Sequence, residues 1–167
     1  EKDYIMRLIR QLTIALAKIL FNKEIKNYDQ ASREIDNSLH AMLGLDRNKI
    51  SNMAEDELIE YLDKLDSEKE EKYFVLAELL REEGEIAELS NKGDFIILFY
   101  FERAFTFYLD AFQADSLMTD KNLLKLKYVA EKLLGNQLYE ERFSLKWMRY
   151  YELFGLYAQA EDMLFHL

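Results

Sequence analysis

The stretch "DFIILFYFERAFTFYLDAFQ", residues 94–113, is apolar around most of a helical circumference. Its polar side chains Glu102, Thr106, Asp110 and Gln113 fall on one narrow stripe, and Arg103 lies beside that stripe. A helix that is apolar on nearly every side is buried on nearly every side. The stretch therefore predicts a helix at the centre of a helical fold, and the rest of the chain is expected to pack around it.

The composition favours helices along the whole chain. The 167 residues include no proline, which interrupts helices, and only five glycines. Half of the residues are apolar, which is enough for one packed core at this length. Strand-like alternation is missing. We expect one all-α domain that spans residues 1–167.

Apolar spacing and capping residues predict about eight helices joined by short turns. They span residues 3–23, 28–43, 54–65, 67–93, 94–113, 119–135, 137–154 and 157 onward, with 45–53 as a loop. Gly44 is expected to end the second helix in a left-handed conformation, while Ser67 and Thr119 are expected N-caps. The inward face of the first helix is predicted to carry Ile5, Leu8, Ile9, Leu12, Leu16, Ile19 and Leu20.

The net charge of −10 is concentrated in one segment. Residues 55–91 hold 14 acidic and 4 basic side chains, and the rest of the chain is balanced. The simplest interpretation is a solvated helix face that includes Glu78, Glu82 and Glu85; the alternative is an acidic surface that selects basic partners. Because nucleic-acid binding calls for a basic footprint, this balance argues against it.

A small residue followed four positions later by a large one recurs along the chain. Ala31 precedes Ile35, Ala104 precedes Tyr108, and Ala160 precedes Leu164. A small residue lets two helices of a hairpin approach closely, and a large residue fills the space beyond the contact. Aromatic residues three positions before each alanine are expected to hold the turn against the helix: Tyr28, Phe101 and Tyr157.

This spacing resembles the tetratricopeptide repeat (TPR), a helix–turn–helix unit of about 34 residues. The similarity is carried by Tyr151, Gly155, Tyr157 and Ala160 in the last hairpin, by Gly84, Ala104, Tyr108 and Ala111 in the middle one, and by Tyr28 and Ala31 in the first. No unit has the closing proline, and residues 45–66 fit nothing in the pattern. The opening "EKDYIMRLIRQLTIALAKIL" with "NYDQASREID" also resembles a family of small bacterial TPR-like proteins of unknown function. That resemblance implies a degenerate stack of helical hairpins and a bacterial, cytoplasmic setting, but no activity.

Residue patterns that would indicate catalysis or metal binding are missing from the sequence. There is no cysteine, and neither His40 nor His166 follows a glutamate at the spacing of di-iron helical bundles. No glycine-rich phosphate loop and no nucleophile elbow occur. No apolar run reaches the roughly 18 residues of a membrane span. We expect a cytoplasmic, non-enzymatic protein without cofactor or metal.

Two hypotheses about function follow. The first is an interaction module that holds a protein or peptide segment, and self-association is a further expectation because repeat ends and aromatic surfaces need covering. The second is a sensor whose pocket lies around helix 94–113 and takes a small molecule or peptide. The polar stripe would line a groove or form structural ion pairs. Candidate binding residues are Arg7, Arg10, Glu102, Arg103, Thr106, Asp110 and Tyr151.

Overall fold

All regular secondary structure in the described residues, 2–64, 69–136 and 142–164 of a computed structural model, is helical. The helices, in chain order, are α1 Lys2–Glu24, α2 Tyr28–Leu43, α3 Arg47–Asn52, α4 Glu55–Asp63, α5 Lys69–Leu89, α6 Asp94–Ala111, α7 Asp120–Leu133, α8 Ser144–Leu153 and α9 Tyr157–Met163. A short 3₁₀ turn, Asp115–Leu117, precedes α7. The prediction of an all-α fold is confirmed.

Helix ends follow the local signals in the sequence. Gly44 adopts φ +64° after α2, and its N–H donates to the carbonyl of His40 at 3.0 Å. The Thr119 hydroxyl accepts a hydrogen bond from the Asn122 N–H at 3.2 Å and caps α7. Both predicted caps are confirmed, whereas the predicted cap Ser67 and residues 137–141 of the predicted seventh helix lie outside the described residues.

The predicted loop at 45–53 is wrong. It contains α3, which Asp46 caps by accepting from the Lys49 N–H at 2.8 Å. Ile50 of this one-and-a-half-turn helix is buried, and Leu45 just before it is fully buried. A cap and two buried aliphatic residues stabilise this helix, which is too short to show a helical pattern in the sequence.

The centre of the fold is α5, not the stretch 94–113. Fourteen of the 21 residues of α5 are buried, and the helix packs against α1, α2, α4 and α6. In α6 the predicted burial is confirmed from Tyr100 onward, but Phe95 is 82% exposed and Ile96 is 40% exposed. The apolar residues around α6 therefore differ in exposure: those in its C-terminal half are buried, and those in its first turn are exposed.

Within the described residues, helices that follow one another in the chain pack together: α1 with α2, α5 with α6, α6 with α7 and α8 with α9. At the α5–α6 crossing, a Cβ atom added at Gly84 would lie 2.8 Å from the Phe101 ring. Ala31 and Ala104 are fully buried, so the proposed close-contact role of the small residues is consistent with the packing. In the last hairpin Ala160 is also buried, but Tyr157 is 70% exposed, and its predicted role at the turn is wrong.

Helix α1 runs parallel to α5 and leaves much of its surface uncovered. The Lys72 ammonium lies 6.0 Å from the Tyr4 ring centroid near one end, and Lys23 reaches Glu85 near the other. The buried face consists of Leu8, Leu12, Ala15 and Ile19. The prediction that Ile9 and Leu20 face inward is wrong, since they are 45% and 52% exposed. The cause is that α1 carries two apolar stripes, and the core covers only one.

Candidate functional site

The polar stripe of α6 is paired rather than open to a ligand. Lys146 of α8 donates to Thr106 at 2.7 Å and to both carboxylate oxygens of Glu55 at 2.7 Å, and its ammonium lies 3.4 Å from Glu102. Thr106 also donates to Glu102 at 3.3 Å. Glu102 and Thr106 are buried, and burial raises the pKa of Glu102 although Lys146 opposes the rise. The two alternatives for this stripe were a groove and structural ion pairs, and Glu102 and Thr106 take part in structural contacts with Lys146.

Arg103 and Asp110, the other candidates on α6, are also engaged. One guanidinium nitrogen of Arg103 donates to the Met53 carbonyl at 3.1 Å, and the group lies 5.1 Å from the Phe99 ring centroid. Asp110 accepts from Arg149 at 3.4 Å. These contacts join α6 to the α3–α4 region and to α8, so both residues hold helices together.

Three acidic residues of α5 are buried, and the expectation of a solvated face is wrong for Glu78 and Glu82. Glu78 is fully buried and Glu82 and Glu83 are each 6% exposed. Glu78 accepts hydrogen bonds from the Tyr108 hydroxyl and, at 2.8 Å, from the Lys125 ammonium. Both of its oxygens are thus occupied, which gives this carboxylate a structural role.

Ion pairs from distant parts of the chain compensate the remaining α5 carboxylates. Lys23 of α1 lies 2.5 Å from Glu82 and 2.6 Å from Glu85, and Arg81 lies among the same groups. Burial raises the pKa of Glu82 despite Arg81 and Lys23. For Glu85 burial acts in the same direction, but the hydrogen bond from Lys23 and the charge of Arg81 outweigh it, and the pKa is lowered.

A small pocket lies where α5 meets the exposed start of α6. It has a volume of about 180 Å³, and its lining includes Arg47, Glu83, Lys92, Ile96 and Tyr100. Arg47 already donates to Glu83 and, at 3.2 Å, to the Ser32 carbonyl. Burial raises the pKa of Glu83 although Arg47 opposes the rise. The sensor hypothesis places a ligand around helix 94–113, and this pocket borders the start of that helix; another pocket of about 290 Å³ borders its end, beside Phe112 and Gln113.

Tyr151 belongs to an aromatic cluster on α8. Its ring centroid lies 5.4 Å from that of Tyr150 and 5.9 Å from that of Trp147, and the side chain is half-buried against the core. Trp147 is 1% exposed and Tyr150 is 5% exposed, so the cluster is part of the core. Tyr151 is not part of the lining of the pocket that contains Arg7 and Arg10.

Arg7 and Arg10 line a groove on the outer side of the first hairpin. One pocket of about 360 Å³ is lined by both arginines, and a second of about 400 Å³ continues it toward Lys18. The two pockets share Gln11 and Ile14 of α1 and Ala41 and Met42 of α2, so they form one continuous depression, hereafter the α1–α2 groove.

The groove combines unpaired cations with exposed apolar side chains. Arg7, Arg10 and Lys18 take part in no ion pair within the described ranges. Ile14 in its wall is 53% exposed, and Phe21, two turns farther along α1, is 59% exposed. Sequence reasoning found the two arginines but missed Lys18 and Ile14. The available signal was the spacing of four, seven and eleven residues from Arg7 to Gln11, Ile14 and Lys18, which defines a second helix face.

Within the described residues, no group of three or more histidine, aspartate and glutamate side chains could hold a metal ion. His40 is exposed on α2, and His166 lies outside the described ranges. No helix in this part of the chain combines the length and the hydrophobicity needed to cross a membrane.

The fold and the groove define an all-helical protein with an exposed first hairpin. In a comparison with known protein families, residues 1–79 match a family of unknown function (DUF6483). The match covers α1 to α4 and the first half of α5, and therefore includes the whole groove. No curated protein and no solved structure matches the chain.

Proposed function

We propose that this protein is a non-enzymatic interaction module that docks a protein or peptide segment in the α1–α2 groove. The observation that carries the proposal is the continuous groove itself, whose two parts of about 360 and 400 Å³ combine exposed aliphatic and cationic side chains. Pockets of this size fall within the range of about 300–1,000 Å³ found for ligand sites. Leu8, Ala15 and Met42 of its lining belong to the core, whereas the cations and Ile14 are exposed, so the chemistry of the exposed groups is available to a partner.

Exposed apolar side chains of α1 support docking on this helix, and two of them, Tyr4 and Ile14, line the groove itself. Single exposed hydrophobic residues are ordinary, but several on one helix mark an interaction surface. The exposed large hydrophobic side chains on α1 and in the turn after it are Tyr4, Met6, Ile9, Ile14, Leu20, Phe21 and Ile25. Burial of such side chains is the main favourable term in association.

The proposal extends to the architecture and the setting. The pairing of α1 with α2, α5 with α6 and α8 with α9 supports the proposal of a degenerate TPR-like stack, and we place the protein in the bacterial cytoplasm. Arg7 and Arg10 contact the partner, while Glu102, Arg103, Thr106 and Asp110 hold the helices that support the stack. This assignment of roles rests on their observed contacts in α6.

A sensor is the second candidate function, and the pocket beside Tyr100 is the observation in its favour. Its volume of about 180 Å³ is below the usual range for ligand sites, and Arg47 and Glu83 in its wall already bind each other. The α1–α2 groove is larger and its cations are unpaired, so docking is the better supported function.

Two matched double variants test the docking function. Ile14→Asp with Phe21→Asp removes exposed apolar groups of α1, while Leu124→Asp with Leu145→Asp makes the same change on α7 and α8, where the side chains are 64% and 57% exposed. Each tagged protein is isolated from the native cells, and quantitative mass spectrometry compares the proteins that copurify. We expect the α1 variant alone to lose the partner that the wild type retains. An identical set of copurifying proteins for both variants, or no specific protein with the wild type, would contradict the proposal.

A further inference from the structure

The charge on the α1–α2 groove is opposite to the charge of the whole protein. Arg7, Arg10 and Lys18 line its α1 side, and Glu34 is the acidic residue among the lining residues. Glu34 accepts a hydrogen bond from Gln30 at 3.2 Å and forms no ion pair with these cations in the described part of the chain. On a protein with net charge −10, this local excess of positive charge favours an acidic occupant.

The shape of the groove fits a helix. The α1 side runs from Tyr4 to Lys18, and these 14 steps along the helix at about 1.5 Å each give a length of roughly 21 Å. Small residues line the floor and the α2 side: Ala15, Ser38 and Ala41. Small side chains allow another helix axis to approach closely, and the groove between two antiparallel helices is a recurrent seat for a third, amphipathic helix.

Exposed apolar and cationic side chains are interspersed along the same stretch of α1. Ile14 lies between the arginines and Lys18, and Phe21 continues the sequence of apolar groups beyond the lysine. An amphipathic helix would place its aliphatic residues against Ile14 and the floor, with its carboxylates on the guanidinium groups. Arginine binds carboxylates through paired hydrogen bonds, which gives this arrangement directional specificity.

We propose that the segment bound in the α1–α2 groove is an acidic amphipathic helix of about four turns. This inference rests on the proposed docking function and names the chemistry of the partner. A second copy of the chain docked through the same groove would bring Arg7 and Arg10 of both copies together, so the charge pattern disfavours it. A nucleic acid is disfavoured by the acidity of the rest of the molecule.

The test uses a display library of 14-residue peptides. Their sequences are randomised among residues that favour helices, with no bias in net charge. The full chain selects binders in three forms: wild type, Arg7→Glu with Arg10→Glu, and Lys121→Glu with Lys127→Glu. The last form is the matched control, because both lysines are exposed on α7, away from the groove, and belong to no ion pair among the described residues. Circular dichroism and thermal unfolding establish that the three forms are equally folded.

We expect the wild type and the α7 control to enrich the same peptides, with net negative charge and apolar residues at three-to-four spacing. The arginine variant should bind these peptides about tenfold more weakly or worse, and raising the salt concentration from about 0.05 M to 0.5 M should weaken wild-type binding.

Three results would overturn the inference: enriched peptides without net negative charge, equal binding by the arginine variant, or no enrichment by the wild type. The docking function is judged separately, since the Ile14 and Phe21 variant is scored against the native partner whatever its charge. Loss of the native partner in that variant, together with neutral or basic peptides from the library, would keep the function and remove the acidic helix.

Discussion

Gly84 of α5 faces the ring of Phe101 where α5 crosses α6, and replacing it with alanine tests how the central hairpin packs. An added Cβ would lie 2.8 Å from one ring carbon of Phe101 and 2.9 Å from the next. The ring has no room to retreat easily, because Phe101 is fully buried and its centroid lies 6.3 Å from the Tyr128 ring. Either the ring or the helix must therefore move.

Two opposing effects decide the sign of the change. Alanine is favoured over glycine inside a helix by about 1 kcal/mol. Overpacking a well-filled core costs about 1–3 kcal/mol, and the short Cβ distances place Gly84→Ala in this class. We expect the free energy of unfolding to fall by about 1 kcal/mol, which lowers the melting temperature of a chain of this length by about 2–4 °C.

A double-mutant cycle with Phe101→Leu measures the contact itself. Unfolding in urea is followed by circular dichroism for the wild type, each single variant and the double variant. Since leucine removes the ring that the new methyl group meets, Gly84→Ala should become stabilising in that background, with a coupling energy of about 1–2 kcal/mol. Stabilisation by Gly84→Ala in the wild type, or additive effects, would refute the packing of Gly84 against Phe101.

Three further predictions concern other parts of the core. Replacing Lys146 with methionine leaves Glu55 and Glu102 without their shared cation, and we expect a loss of about 2–3 kcal/mol in urea unfolding, below the 3–5 kcal/mol of fully buried pairs; no loss would show that the stripe is not held by this lysine. Ala160→Leu should overpack the last hairpin and cost about 1–3 kcal/mol in the same assay, and an unchanged midpoint would contradict the close contact at this alanine. Because burial raises the pKa of Glu83, the folded protein holds this proton more tightly than the unfolded chain, and the contribution of this group to stability is present below about pH 4.5 and is lost as the pH rises through the folded pKa. As the pH rises above about 4.5, the free energy of unfolding should therefore fall less steeply in Glu83→Gln than in the wild type, and equal slopes would refute this origin of the pH dependence.

The location of α5 could not be predicted from local sequence because its charge compensation is non-local. Carboxylates at helical spacing are typical of a solvated face, and nothing near them in the chain supplies enough cations. Their partners Lys23, Arg47 and Lys125 are 62, 36 and 47 residues away from Glu85, Glu83 and Glu78. From Tyr73 to Leu80 every residue except Glu78 is apolar, and this run was the signal that could have indicated burial on every side of the helix.

Features that depend on a few neighbouring residues were predictable. Gly44 and Thr119 end and begin their helices because a left-handed φ and a side-chain acceptor are local properties. Close helix contacts were predictable for the same reason, since a small residue such as Ala31 or Ala104 is visible in the sequence and is buried in the structure. Which helix faces each small residue could not be predicted.

The candidate site was half predictable. Arg7 and Arg10 were identified on the first helix, and they lie in one groove. The remaining candidates on α6 take part in structural contacts, because Lys146 and Arg149 approach from α8, about 40 residues away in sequence. The α1 apolar residues Ile9 and Leu20 follow core spacing, and only the packing of α1 against α2 and α5 shows that the core leaves them exposed.

Site-specific photocrosslinking tests docking in the α1–α2 groove most directly. A photoreactive amino acid replaces Ile14 in one form of the protein and Leu124 on α7 in another, both at positions that are more than half exposed. After irradiation in the native cells, mass spectrometry identifies the covalent products. Docking in the groove predicts a discrete product at position 14, joined to one segment of a partner protein, and none of the same product at position 124. No discrete product at position 14, or the same products at both positions, would contradict it.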